Sequence, residues 1–218
     1  MNIYDVSNKA GVSIATVSRV LNGNARVSLA TRKKVLDAMK ELDYTPNVFA
    51  RGLGLNTMKT IGIMCIDSSD IYLANAVYYL EQELRKHSYD SILCCTGKDY
   101  TNKKKYLELL LSKRVDGIIL AGSQFVENTD TYNNDYIINA AKDIPIVLVN
   151  GYLDAPNIYS VMCNDEIAIY NATNLLINNG HRNIVYLYTS KSYSGMNKYA
   201  GYMRALKEAG ITLPEDYR

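Results

Sequence analysis

The sequence predicts a two-part fold, a small all-α helix-turn-helix head followed by an α/β body on a parallel sheet. Three observations carry that prediction. Residues 1–45 show helical apolar spacing and no strand pattern, and from Thr60 onward short β-branched apolar runs alternate with longer segments of helical period. The charge also changes sign where the pattern does. Residues 1–59 hold nine Lys/Arg against four acids, a net +5, while the other 159 hold 15 against 18, a net −3. A basic head on a mildly acidic body suits a nucleic-acid-binding module joined to something of another kind.

In the head, the spacing predicts helices over 3–10, 13–22 and 28–42, with Ser13 and Ser28 as N-caps and Gly11 and Gly23 as stops. Val17, Val20 and Leu21 stand at i, i+3 and i+4, so they are expected to pack on Val6 and Ala10 of the first helix and on Val35, Ala38 and Met39 of the third. The opposite face of the second helix is then Ile14, Ala15, Ser18, Arg19 and Asn22. Small apolar groups, hydroxyls and one guanidinium suit a major groove, where Ile and Ala meet thymine methyls and Arg bonds guanine N7 and O6. Ser13, Thr16 and Asn22, with Arg26 and Ser28 beyond the turn, have the chemistry and position to hold phosphates. An ordinary three-helix bundle with a solvated second helix fits the same spacing.

In the body, the strand candidates are Thr60–Asp67, Tyr89–Thr96, Val115–Gly122, Ile144–Asn150, Ile158–Cys163 and Asn183–Thr189. Helical period fills roughly 71–87, 102–113, 132–142, 165–179 and 197–209. Continuous apolar strands separated by helices mean a parallel sheet covered on both faces, with any ligand at the carboxyl ends of the strands.

The four cysteines, Cys65, Cys94, Cys95 and Cys163, all lie in apolar runs and outside any C-x-x-C pair. Buried free thiols in a reducing compartment are expected. With His87 and His181 as the only histidines, no zinc cluster, metal site or cofactor site is foreseen, and no catalytic set stands out. The N-terminus lacks an apolar signal core and no run approaches a membrane span, so a cytoplasmic protein with no membrane partner is expected. Lys103-Lys104-Lys105 is expected to be a solvated helix face, and His181, after Gly180, to close a helix.

The run "IYDVSNKAGVSIATVSRVLNG", followed by "VS..TR.KVL.A...L.Y.PN..AR.L" over Val27–Leu53, closely resembles the N-terminal motif of the LacI/GalR family of bacterial transcription regulators. The resemblance runs on in order through "KTIGIMCID", "LLLSKRVDGIILAG", "IPIVLVNG", "VMCNDEIAIYNATNLLINNGHRNIVYL" and "KYAGYMRAL". It implies a sequence-specific DNA-binding regulator, most simply a repressor, working as a homodimer on a near-palindromic double-stranded operator under a small-molecule effector such as a sugar. It further implies that Ile14, Ala15 and Arg19 choose the operator. "PNVFARGLGL" is similar to the family's hinge helix, which places Leu53 as a wedge in the minor groove, with Asn47, Ala50 and Arg51 along the same segment. Gly52 and Gly54 weaken a helix there, so the hinge is expected to form only on DNA; a linker whose leucine tucks against the body is the alternative. The implied organisation is a DNA-binding head at 1–45, a hinge at 46–59 and a periplasmic-binding-protein-like effector and dimerisation body at 60–218.

Three positions would face the effector cleft by that resemblance: Tyr72, Asp165 and Lys198. Tyr72 is what remains of the family's aromatic loop, whose Asn and Pro become Asp70 and Ile71. Asp165 would accept ligand hydroxyls, and Lys198 replaces the family's clamping arginine, keeping its charge and losing its planar fork. Their ordinary alternatives are core packing, a helix cap and a solvated lysine. The chain stops at "GITLPEDYR", so the body is expected to be incomplete, with the second wing only begun. A small-molecule binding protein with an incidental basic head, or a non-functional remnant, are the competing expectations.

Overall fold

Each helix of the head opens on a side chain that accepts a backbone proton. In the computed structural model, which describes residues 1–23, 25–45, 57–126, 134–188 and 191–213, Asn2 caps α1 (Ile3–Ala10) and Asp5 reaches back to the Asn2 amide, a reciprocal capping box. Ser13 caps α2 (Ile14–Leu21), and Ser28 caps α3 (Leu29–Glu41). Gly11 ends α1 at φ 65°, a left-handed conformation that glycine adopts without a Cβ penalty. The chain divides into two units, Met1–Lys59 and Thr60–Arg218. The core of the first is Val6, Val17, Val20, Val35 and Ala38, with Ala10, Leu21 and Met39 packed around it. That is the face expected from the spacing of α2. The hinge residues Asn47, Ala50, Arg51, Gly52, Leu53 and Gly54 lie outside the described residues.

The second unit holds five parallel strands among its described residues, in the order β2-β1-β3-β4-β5. They are β1 (Thr60–Cys65), β2 (Asp90–Cys95), β3 (Gly117–Ala121), β4 (Ile146–Val149) and β5 (Ile158–Val161). Helices α4 (Ile71–Lys86), α5 (Tyr100–Ser112) and α6 (Asp135–Ala141) connect the first four. Because β1 to β2 steps one way along the sheet and β2 to β3 the other, right-handed crossovers put α4 on one face and α5 with α6 on the opposite face. Central residues are therefore covered on both sides: Ile63, Met64, Ile118, Leu120, Ile146 and Leu148 are essentially inaccessible.

Past the sheet, α7 (Asp165–Asn178) packs on α8 (Tyr193–Glu208) through Ile177, Tyr202, Ala205 and Leu206. Gly201 permits the close approach, since a Cβ there would stand 2.1 Å from the Glu166 carbonyl oxygen. His181 does help close α7: its amide reaches back to the Leu176 carbonyl while Gly180 sits at φ 90°.

Three expectations need correction. Asn183–Tyr188 forms no ladder with any described strand. Its Ile184 packs instead into the α7–α8 cluster and its carbonyl accepts from the Tyr202 hydroxyl at 2.7 Å. Cys95 and Cys163 are exposed, because they lie at the ends of edge segments, and only Cys65 and Cys94 are buried. Lys103 is not solvated: it is 2% exposed, on the inward stripe of α5 with Leu107 and Leu110. No helix among the described residues is long and apolar enough to cross a membrane.

Candidate nucleic-acid interface and ligand cleft

The outward face of α2 is set by what its inward face buries. Val17 and Val20 fix the helix against α1 and α3, which leaves Ile14, Ala15 and Arg19 exposed on one side, with Ser18 and Asn22 half-buried beside them. Ile14 is 37% accessible, open enough for an apolar contact outside the chain. Arg19 is exposed, and its fork of five donors matches the bidentate pattern of guanine.

The two helix starts repeat one device. In Ser13-Ile14-Ala15-Thr16, the Thr16 amide donates to Ser13 Oγ at 3.2 Å and the two hydroxyls are 2.9 Å apart. In Ser28-Leu29-Ala30-Thr31, the Thr31 amide donates to Ser28 Oγ at 3.2 Å and Ser28 donates to Thr31 Oγ1 at 2.9 Å. Each pair spends one hydroxyl proton internally and keeps one to give to an anion at a helix N-terminus. At α3 that remaining proton belongs to Thr31, a residue the sequence reading passed over in favour of Ser28. The doubled S-x-A-T tetrapeptide was the available signal. Asn22 Oδ1 is buried without a hydrogen-bond partner, and as an acceptor it cannot bond a phosphate oxygen. Only its Nδ2 can serve there. Arg26 is exposed in the turn between α2 and α3, and Lys9 is engaged by Glu41 at 2.9 Å.

In the second unit, a cleft of about 240 Å³ opens at the carboxyl ends of β1, β3 and β4. This is where the chain reverses direction along the sheet, stepping from β1 to β2 one way and then from β2 past β1 to β3, the place an open parallel sheet offers a ligand. Ile66, Asp70, Tyr72 and Leu73 come from the end of β1 and the start of α4; Gly122, Ser123 and Gln124 follow β3; Asn150 ends β4; Ser194 and Lys198 come from α8. The turn after β1 is held by Asp67, whose Oδ1 accepts from the Ser69 amide at 2.8 Å and the Ser69 hydroxyl at 2.7 Å. Those bonds, the backbone one first, pull the Asp67 carboxyl below its usual range.

Tyr72 and Lys198 are thus brought into one cleft. Tyr72 is no core residue: its hydroxyl accepts from Asn150 Nδ2 at 2.6 Å. Asn150 holds that position from a left-handed backbone, φ 60°, which Asn tolerates better than most residues. Asp165 is not among the residues that line this cleft. Asn164, rather than Asp165, caps α7, and the Asp165 carboxylate contacts two α8 residues that do line the cleft. Ser194 Oγ donates to one of its oxygens at 2.5 Å and Lys198 Nζ stands 3.6 Å from the other. These contacts join it to two α8 residues that face the cleft. Its charge also adds to burial in raising the Tyr186 phenol above its ordinary value.

Asn150, Ser123, Gln124 and Ser194 were missed. Asn150 was readable as the polar residue that stops an apolar strand at its carboxyl end. Ser123 and Gln124 sit on a single 3₁₀ turn, Ser123–Phe125, positioned from both sides. Ser123 donates to the Ser192 hydroxyl at 3.1 Å, and the buried Lys103 Nζ donates to the Gln124 carbonyl at 2.6 Å.

Comparison with known proteins follows the same division. A family model described as "Bacterial regulatory proteins, lacI family" matches residues 2–47, and one described as "Periplasmic binding proteins and sugar binding domain of LacI family" matches residues 58–217. An HTH-type transcriptional regulator of Lachnoclostridium phytofermentans is 62% identical over 99% of this chain, and catabolite control protein A of Priestia megaterium is 34% identical over 100%. The chain spans 65% and 64% of those two proteins. The lac repressor dimer bound to operator and the anti-inducer ONPF superposes with a TM-score of 0.79 at 25% identity, covering 97% of this chain and 63% of that one.

Proposed function

Because the chain belongs to the LacI family of bacterial regulatory proteins, we propose that it is a sequence-specific DNA-binding transcriptional regulator, a repressor controlled by a small-molecule effector such as a sugar. The observation that carries this reading is the outward face of α2. A short helix fixed by buried Val17 and Val20 presents Ile14, Ala15 and Arg19 together, flanked by two helix starts that each keep a hydroxyl donor for phosphate. One such helix reads too few base pairs for a unique site, so the working form is a homodimer on a near-palindromic operator. Its partner is DNA and its place of work the bacterial cytoplasm; it is not an enzyme.

For the body, the cleft at the end of β1 and β3 is the effector site, with Tyr72, Asn150 and Lys198 reaching the ligand and Asp165 orienting Ser194 and Lys198. Hydroxyl, amide and ammonium groups around a partly apolar floor suit a polyhydroxylated ligand. The experiment is a competition titration of the full chain on a duplex selected from a random library, against random duplex, at several salt concentrations. Tighter binding to the selected duplex, with affinity falling linearly in log salt, is expected. Equal affinity for all duplexes defeats the reading.

A further inference from the structure

The edge of the sheet carries a thiol pair that neither α2 nor the cleft uses. Cys65 ends β1, Cys95 ends β2, and the two are register partners on adjacent parallel strands. Their sulfurs are 3.7 Å apart. The backbone holds this alignment beyond the strands, since the Thr96 amide donates to the Cys65 carbonyl at 2.9 Å and the Gly97 amide to the Ile66 carbonyl at 3.0 Å. Neighbouring strands run about 4.8 Å apart, inside the Cα separation of roughly 4.4–6.8 Å that a disulfide spans. Closing from the observed sulfur separation to a bond of roughly 2.0 Å therefore takes side-chain rotation and no strand movement.

The other two thiols are excluded by geometry. Cys94 alternates with Cys95 along β2 and so points to the opposite face. Cys163 follows β5, at the other edge of the sheet. Within the pair the roles differ: Cys95 is exposed on the edge strand, whereas Cys65 is fully buried.

We propose that Cys65 and Cys95 are a modification site, closing to a reversible disulfide when the protein meets a peroxide. The Cys95 thiolate attacks one peroxide oxygen; the O–O bond breaks, hydroxide leaves, and Cys95 becomes a sulfenic acid. The Cys65 sulfur then attacks the Cys95 sulfur, the S–O bond breaks, and the departing hydroxide takes the Cys65 proton as water. Two thiols and one hydrogen peroxide give one disulfide and two waters, with two electrons passed from sulfur to oxygen. Burial first, then the hydrogen bond to Cys95, pushes the Cys65 thiol up to about 12, so it enters as the resolving partner and not as the first nucleophile.

The test uses the reduced full chain treated with stoichiometric hydrogen peroxide, alkylated under denaturing conditions and mapped by mass spectrometry. The expected result is the loss of two hydrogens per chain and a cross-linked peptide joining Cys65 to Cys95 while Cys94 carries the alkyl label. Dithiothreitol reverses it, Cys163→Ser leaves it intact, and Cys95→Ser abolishes it. A Cys95 that is oxidised without the intrachain link, a link between two chains, or no reaction while the free thiols remain would overturn the proposal.

Discussion

Replacing Gly201 by alanine drives a methyl into backbone. Its Cβ would sit 2.1 Å from the Glu166 carbonyl oxygen and 3.0 Å from both the Glu166 carbonyl carbon and the Tyr170 nitrogen. Carbon contacts are comfortable at about 3.5–4.0 Å, so α7 and α8 must part by more than roughly 1 Å. Separation thins the cluster of Ile177, Tyr202, Ala205 and Leu206, and strains the Arg204–Glu166 bridge at 2.5 Å. Overpacking costs about 1–3 kcal/mol in general, and the upper part of that range applies where the obstacle is backbone. For a unit of this size, about 2–3 kcal/mol corresponds to a loss of roughly 4–12 °C in Tm. The paired control is Gly62→Ala, whose Cβ meets the Leu110 Cδ1 at 2.7 Å, the movable end of a side chain, and which is expected to cost less. The chain has no tryptophan, so melting is followed by far-UV circular dichroism. An unchanged Tm for Gly201→Ala, or a larger loss for Gly62→Ala, refutes this account of the α7–α8 contact.

Ser13→Ala removes the acceptor for the Thr16 amide and is expected to destabilise the head by about 1 kcal/mol in urea titrations, with Ser13→Asn restoring most of it. Asn150→Gly keeps the left-handed backbone while deleting the bond to Tyr72, so ligand affinity should fall with little change in Tm; Asn150→Ala should lower both. Cys65 binds its proton more tightly in the folded state than in the unfolded one, where it titrates near the ordinary 9.0. Its contribution is therefore intact below pH 9 and lost as pH rises toward about 12, at about 1.4 kcal/mol per pH unit, with Cys94 acting in the same direction. Urea midpoints at pH 8 and pH 10 measure the decline, and Cys65→Ser should flatten it.

What was legible in the sequence is what local chemistry decides alone. Ser13, Ser28 and Gly11 occupy helix ends because their caps act within a few residues. Val17 and Val20 face inward because a 3.6-residue period leaves no other stripe. Asn183–Tyr188 shows where that reasoning stops: its apolar run matches those of β1 and β3, yet a strand is a property of a pair, and no described strand lies beside it. Lys103 reads as one of three solvated lysines until it is placed in register with Leu107 and Leu110, and its acceptor, the Gln124 carbonyl, is 21 residues away. The bonds of Asp165 could not be read from its own segment, because its partners Ser194 and Lys198 lie on a different helix.

The most direct test of the DNA-reading face is selection of duplexes from one random library by the wild-type chain and by Arg19→Ala in parallel. The wild type should enrich an inverted repeat. Arg19→Ala should bind the same repeat with about 1–3 kcal/mol less affinity and lose its preference at one base pair in each half-site, while keeping the rest. Failure of the wild type to enrich any sequence, or identical preferences from the two proteins, would contradict the assignment of α2 as the helix that reads the operator.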